Sequence, residues 1–231
     1  HVDRELQEID PAGLVSLGAG AYVGDCEVFG YDPSAEESRR MITDKIDTIL
    51  NIWDDPDPGL YEKWTWRFKI PEPLEVTSQR LHLKPYQNPH PPIAVAGISP
   101  KSSTLAVAGE RGWIPMSINT IPTRILTTHW EAVEEGANRT GRVPNRASWR
   151  IAREVYVADT TEQAREEVLG GVIARDWEGY LLPLLRNTGL MDLLKVDPAM
   201  ADTDVTTEYL MDNIWIVGSP DDVVDKLTQL Y

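Results

Sequence analysis

The chain has 231 residues, with 22 Lys plus Arg against 37 Asp plus Glu and a formal net charge of −15. At 42% hydrophobic and 26% charged residues it has the composition of a globular domain, which excludes a disordered tail and a coiled coil. The acidic field opposes a phosphate backbone, so nucleic acid is excluded as a partner. The lone cysteine, Cys26, excludes a disulfide scaffold, and no apolar run reaches the ~18–20 residues of a membrane helix.

In chain order, His1–Ile9 reads as the last turns of a helix, with Val2, Leu6 and Ile9 on one face, ended by Asp10-Pro11-Ala12-Gly13. Leu14–Leu17 is a short strand leading into Gly18-Ala19-Gly20-Ala21. The periodicity of Met41, Ile42, Ile46, Ile49, Leu50 and Trp53 predicts a helix over 36–53, with Ser34 as N-cap. Residues 54–88 are rich in proline and aromatics, and the alternation of Trp64, Trp66 and Phe68 predicts a hairpin excursion. Residues 92–97 (PIAVAG) form a buried strand, 102–112 a helix, and 112–118 a strand that Pro115 weakens. A helix over 123–140 ends at Gly141. Residues 149–158 read as one strand, and 161–187 as helix broken at Gly170-Gly171. The segment 191–206 is irregular, and 209–217 ends in an extended stretch. Ser219 and Pro220 start a helix as N-cap and first residue, and no glycine stops it before Tyr231. Both ends are those expected of a chain cut within longer elements.

Apolar strands spaced by helices predict a parallel sheet with helical cover, in four clear βα units and a partial fifth. An open doubly wound sheet and part of a (β/α)8 barrel, which typically needs ~250 residues, both fit.

The turn Ile98-Ser99-Pro100-Lys101-Ser102-Ser103-Thr104 follows a strand and opens a helix. First-turn amides without partners, flanking hydroxyls and a lysine make an anion site there, with Ser99, Ser102 and Ser103 as a phosphate cradle. The alternative, which spacing alone favours, is that Ser102 is simply an N-cap. Gly18-Ala19-Gly20-Ala21-Tyr22 would let a flat ligand approach the backbone, or is a tight βα turn; Val23 stands where a dinucleotide fingerprint needs its third glycine. Arg39 or Arg40 suits bidentate phosphate pairing, or a surface pair with Glu36 or Glu37. His82, His90 and His129 fall in no metal-ligand spacing, and no residue is assigned a catalytic role.

Three stretches carry a family resemblance: Leu17–Tyr22 with Asp25, Val28-Phe29-Gly30 and Ser38-Arg39-Arg40-Met41; Pro91–Gly97 with Ser99, Ser102, Ala106, Gly109 and Gly112; and Val217–Val223 with Leu227. Together they resemble the bacterial luciferase-like flavin monooxygenases, in particular the limonene-monooxygenase-type branch. The resemblance runs over nearly the whole chain. It implies a single partial TIM-barrel domain over 1–231, a luciferase-like (β/α)8 barrel whose first strands and last strand are missing. The hairpin excursion then lies at about 54–90 and a helical insertion at about 170–210. It implies a two-component enzyme that takes reduced FMN from a separate flavin reductase and uses O2 to oxygenate a small organic substrate. Such a protein is expected to be cytoplasmic and a homo-oligomer. Carried over by motif, Ser99, Ser102 and Ser103 with Arg39 or Arg40 would bind the FMN phosphate, and the ring would lie near Gly18, Ala19, Gly20 and Tyr22. The histidine commonly placed at the family's active site would precede His1. The alternatives are a non-catalytic barrel subunit or fragment, and an F420-dependent oxidoreductase on the same fold.

Overall fold

The computed structural model describes residues 13–18, 27–28, 35–54, 56–63, 66–81 and 84–230, with side chains in the first long helix from Arg40 onward. The helix expected over 1–9 and most of the glycine turn after Gly18 lie outside those residues. The chain forms two compact units, His1–Ala94 and Val95–Tyr231.

In the first unit, strand β1 (Val15–Leu17) begins with the Val15 N–H donating to the Pro92 carbonyl over 2.9 Å. Helix α1 (Ala35–Trp53) buries Met41, Ile42 and Ile46, the centre of the predicted apolar face. It stops where Pro56 and Pro58 follow, residues that cannot donate to a continuing helix. Strands β2 (Gly59–Glu62) and β3 (Arg67–Ile70) pair antiparallel, with Tyr61 opposite Phe68 and their rings stacked at 5.1 Å. Trp66 extends the stack at 5.5 Å from Phe68. The hairpin is shorter than the expected excursion, because Pro71 and Pro73 remove ladder donors just beyond Ile70.

Strand β4 (Ile93–Gly97) leads into the second unit, followed by α2 (Ser103–Arg111), β5 (Ile114–Ser117) and α3 (Thr123–Arg139). Helix α2 falls within the predicted 102–112: Ser102 caps its start, and Gly112 closes it in the left-handed conformation at φ 73°. Strand β5 lies between β4 and the short β6 (Arg150–Ile151). Helices α2 and α3 meet backbone to backbone. A Cβ on Gly109 would fall 2.0 Å from the Val133 carbonyl oxygen, and one on Gly136 would fall 1.8 Å from that of Ala106.

The single strand expected over 149–158 is in fact two. Strand β6 pairs parallel with β5, Met116 opposite Arg150 and Ser117 opposite Ile151. Strand β7 (Val155–Val157) pairs parallel with β8 (Ile216–Gly218), Val155 opposite Ile216 and Val157 opposite Gly218. The Ala152 N–H still donates to Ser117, and the Glu154 carbonyl already accepts from Ile216, so Arg153 sits at the changeover. Neighbouring strands are thus staggered along one extended run, as in sheets whose strands tilt to close.

The predicted break at Gly170-Gly171 separates α4 (Thr161–Leu169) from α5 (Val172–Asp176). A π-helical turn over Trp177–Leu181 then joins α6 (Leu182–Asn187), with the Leu182 N–H reaching back to the Trp177 carbonyl. Pro183 has no N–H for the Gly179 carbonyl, which is a physical reason for the wider turn. Helix α7 (Thr207–Asn213) was not expected; Thr206 caps it, its hydroxyl accepting from the Tyr209 N–H at 3.2 Å. The irregular segment before it is held by Lys195, which is nearly buried and bonds Asp192 at 2.6 Å and Asp202 at 2.7 Å. Helix α8 (Pro220–Thr228) starts at Ser219 and Pro220 as predicted. Trp177, Leu194, Leu210, Met211 and Trp215 centre one buried cluster, and Leu105, Trp130 and Val133 another. No helix among the described residues is long and apolar enough to cross a membrane.

Candidate functional site

The second unit gathers polar groups at the carboxyl ends of β4, β5 and β6, the edge at which α/β sheets carry their ligands. Beyond β4, Lys101 adopts a left-handed φ of 50°, and its N–H donates to Thr128 Oγ1 at 3.1 Å. This bend brings Ser102 under the start of α2, where its Oγ accepts from the Leu105 N–H at 3.4 Å. Gly97 is required beneath it, since a Cβ there would sit 2.5 Å from Leu105 Cγ and 2.8 Å from Ser102 Oγ. Ser102 is only 3% exposed, so its hydroxyl serves the helix. Ser99 and Ser103 are exposed, and their hydroxyls make no hydrogen bond among the described residues. The amides of Ser103 and Thr104 have no intrahelical acceptor. The N-cap reading therefore describes Ser102, while the turn still offers two hydroxyls, free amides and Lys101 to an anion.

His129, from the middle of α3, fixes this turn from beneath. It is fully buried, with Nε2 3.0 Å from the Ser99 carbonyl oxygen and Nδ1 2.8 Å from Ser117 Oγ. The carbonyl can only accept, so Nε2 carries the proton and Nδ1 accepts from the Ser117 hydroxyl. Ser117 Oγ in turn accepts from Trp149 Nε1–H at 2.9 Å. Burial holds the His129 pKa below 6.5, with the nearby Arg153 charge adding to the effect and the carbonyls of Ser99 and Ile98 opposing it. The imidazole is therefore neutral at neutral pH.

Arg153 and Glu154 occupy the strand changeover. Arg153 Nη1 donates to the carbonyls of Ala152 at 2.9 Å and Ile118 at 3.4 Å. Glu154 Oε1 accepts from Trp177 Nε1 at 3.0 Å and from Asn119 Nδ2. Burial raises the Glu154 pKa against those bonds and lowers that of Arg153 against the pull of Glu154. Arg153 Nη2, Glu154 Oε2 and Thr120 Oγ1 are buried without a hydrogen-bond partner. This group was missed in the sequence, although the signal was there: two adjacent opposite charges inside the apolar run WRIAREVYVA.

Of the residues expected to bind cofactor, Ser99, Ser102 and Ser103 share one turn. Gly18 is exposed, and a Cβ added there would meet nothing within 4 Å. Arg40 is exposed and has an interaction of its own. Ala19, Gly20, Tyr22 and the Arg39 side chain lie outside the described residues.

The fold of parallel strands and helices is matched by known proteins. Residues 14–231 match the luciferase-like monooxygenase family, and the chain belongs to it. The 3,6-diketocamphane 1,6-monooxygenase of Pseudomonas putida is 31% identical over 94% of this chain and 61% of its own length. The limonene 1,2-monooxygenase of Rhodococcus erythropolis is 26% identical over 94% of this chain and 51% of its own. A solved structure of the oxygenating constituent of the Pseudomonas putida 3,6-diketocamphane monooxygenase, a type II Baeyer–Villiger monooxygenase in complex with FMN, superposes with a TM-score of 0.79 at 32% identity, covering 94% of this chain and 60% of that one. The fold is thus the luciferase-like α/β type, and the chain spans less than two thirds of the length of these relatives.

Proposed function

We propose that this protein is the oxygenating component of a two-component flavin monooxygenase, taking reduced FMN from a separate reductase and using O2 to oxygenate a small organic substrate. The diketocamphane relatives suggest a ketone as the substrate class. The observation that carries this reading is the turn over 97–104, whose groups suit a phosphate dianion. In a chain of net charge −15 such a ligand needs local donors, and the exposed Ser99 and Ser103 hydroxyls, the first-turn amides of α2 and Lys101 supply them. Bound reduced FMN would supply the activation of O2. The chain's own residues bind and orient: Ser99 and Ser103 donate to phosphate oxygens, Ser102 holds the helix start, and His129 fixes the Ser99 carbonyl so that the turn keeps its shape.

Fluorescence titration with FMN and with riboflavin tests the phosphate assignment, and F420 titrated alongside tests the deazaflavin alternative. FMN is expected to bind at least about tenfold tighter than riboflavin, since charge-assisted hydrogen bonds to the phosphate are at stake. Ser99→Ala and Ser103→Ala should each weaken FMN several-fold, and leave riboflavin unchanged. Lys101→Gly is the sharper variant. It relieves a left-handed backbone that costs a non-glycine residue about 1 kcal/mol, so it should raise the melting temperature while weakening FMN. Arg39→Ala, assigned from the family motif alone, belongs in the same series. Equal affinity for FMN and riboflavin in the unmodified protein would discard the phosphate site.

A further inference from the structure

The unpartnered pair at the strand changeover is explained neither by packing nor by the phosphate turn. Glu154 has one oxygen committed to two N–H donors, from Asn119 and Trp177, and the other oxygen unused. Arg153 has one nitrogen committed to two carbonyls, from Ile118 and Ala152, and the other unused. The side chains are not ion-paired to each other, although each lies within the other's field. Both lean on consecutive residues, Ile118 and Asn119, just beyond β5. A buried donor or acceptor without a partner is costly, and native proteins satisfy such groups with water or a ligand. Both residues are only half-buried, so a small side-chain movement opens the pair to a bound molecule.

The chemistry of the pair narrows what it would take. A phosphate or carboxylate meets the Glu154 carboxylate, and an ammonium meets the Arg153 guanidinium. A neutral edge with an N–H beside a carbonyl satisfies both. Of the groups that the flavin reading brings to the carboxyl ends of these strands, one has that pattern: the imide side of the isoalloxazine ring. We propose that Arg153 and Glu154 recognise the imide edge of the flavin ring, Glu154 Oε2 accepting from the imide N–H and Arg153 Nη2 donating to an adjacent ring carbonyl. This rests on the flavin reading and adds the part of the ring that the chain selects. The π-helical turn has a role in it, because it carries Trp177, whose indole N–H holds Glu154 Oε1.

The test is a fluorescence titration with oxidised FMN and with FMN methylated at the imide nitrogen. The unmodified protein is expected to bind the methylated flavin about tenfold more weakly, the loss of one hydrogen bond to a charged group. Glu154→Ala should weaken FMN and abolish the difference between the two flavins. Glu154→Gln is the second variant and preserves packing. Its carbonyl stays with Asn119 and Trp177, so an NH2 group faces the ring N–H and the preference should again vanish. Equal binding of the two flavins by the unmodified protein overturns the proposal with no variant needed, and so does a methylation penalty that persists unchanged in a folded Glu154 variant. In both cases the flavin reading survives, because FMN still binds. Failure of the unmodified protein to bind FMN at all removes that reading and this one together.

Discussion

Replacing Gly136 with alanine is expected to destabilise the second unit by at least about 2–3 kcal/mol, the upper part of the range for overpacking a tight interior. Helix propensity alone predicts the opposite sign, since alanine is favoured over glycine by about 1 kcal/mol inside a helix. Packing decides. The added Cβ would lie 1.8 Å from the carbonyl oxygen of Ala106 and 2.6 Å from its carbonyl carbon, atoms of the α2 backbone that no rotamer change can move. Relief requires α2 to shift as a body. The Gly109 contact with Val133, 2.0 Å from a notional Cβ, shows that the same two helices are equally close from the other side. Because Ser102 and the exposed serines sit at the head of α2, the shift should also weaken FMN binding. Gly179→Ala is the control: nothing lies within 4 Å of its added carbon, so it should be neutral or stabilising. Urea unfolding of both variants measures the contrast, and a Gly136→Ala protein as stable as the parent would show that α2 and α3 do not touch through their backbones.

What could be read in advance was governed by local chemistry. Ser102 and Gly112 around α2, Gly141 after α3, and Ser219 with Pro220 before α8 act through their own φ preferences and side-chain hydrogen bonds, so a single stretch reveals them. The division of 149–158 could not be read that way. It depends on where β5 ends and β8 begins, registrations with segments 34 and 61 residues away along the chain, and hydrophobicity along 149–158 is the same on either side of it. Helix α7 was hidden because Leu210 and Met211 run on toward the apolar strand at Ile216, so its cap, Thr206, read as the end of an irregular segment. The same division applies to the site. The serine turn is a continuous stretch with a mechanism in its sequence. His129 looked uninformative because its partners, Ser99 and Ser117, and the Trp149 indole that holds Ser117 in turn, come from three other places in the chain. Glu154 falls between: its position was legible as a charge within an apolar run, but its bracing by Asn119 and Trp177 was not.

His129 carries the remaining large effect, and pH separates its role from simple packing. His129→Leu preserves bulk but strands the Ser99 carbonyl and deprives the Ser117 hydroxyl of its acceptor. Each buried group left unpaired costs about 1–3 kcal/mol, so a loss of several kcal/mol is expected. FMN affinity should fall with it, because the turn would then hang on the Lys101 to Thr128 bond and the Ser102 cap. His129→Gln should recover part of both, since an amide can donate to the carbonyl and accept from the hydroxyl. The native imidazole resists protonation, with its pKa lowered from 6.5 chiefly by burial, whereas in the unfolded chain it protonates near that ordinary value. Below about pH 6.5 the unfolded state therefore binds a proton that the native state does not, and stability declines as pH falls toward the native pKa. Above 6.5 the contribution is complete. Glutamine has no such limb, so the stability advantage of the parent protein over His129→Gln should shrink as urea unfolding is repeated from about pH 7 toward pH 5. An advantage that stays constant across that range would mean that His129 enters the core already able to take the proton, and the tautomer that fixes the serine turn would have to be abandoned.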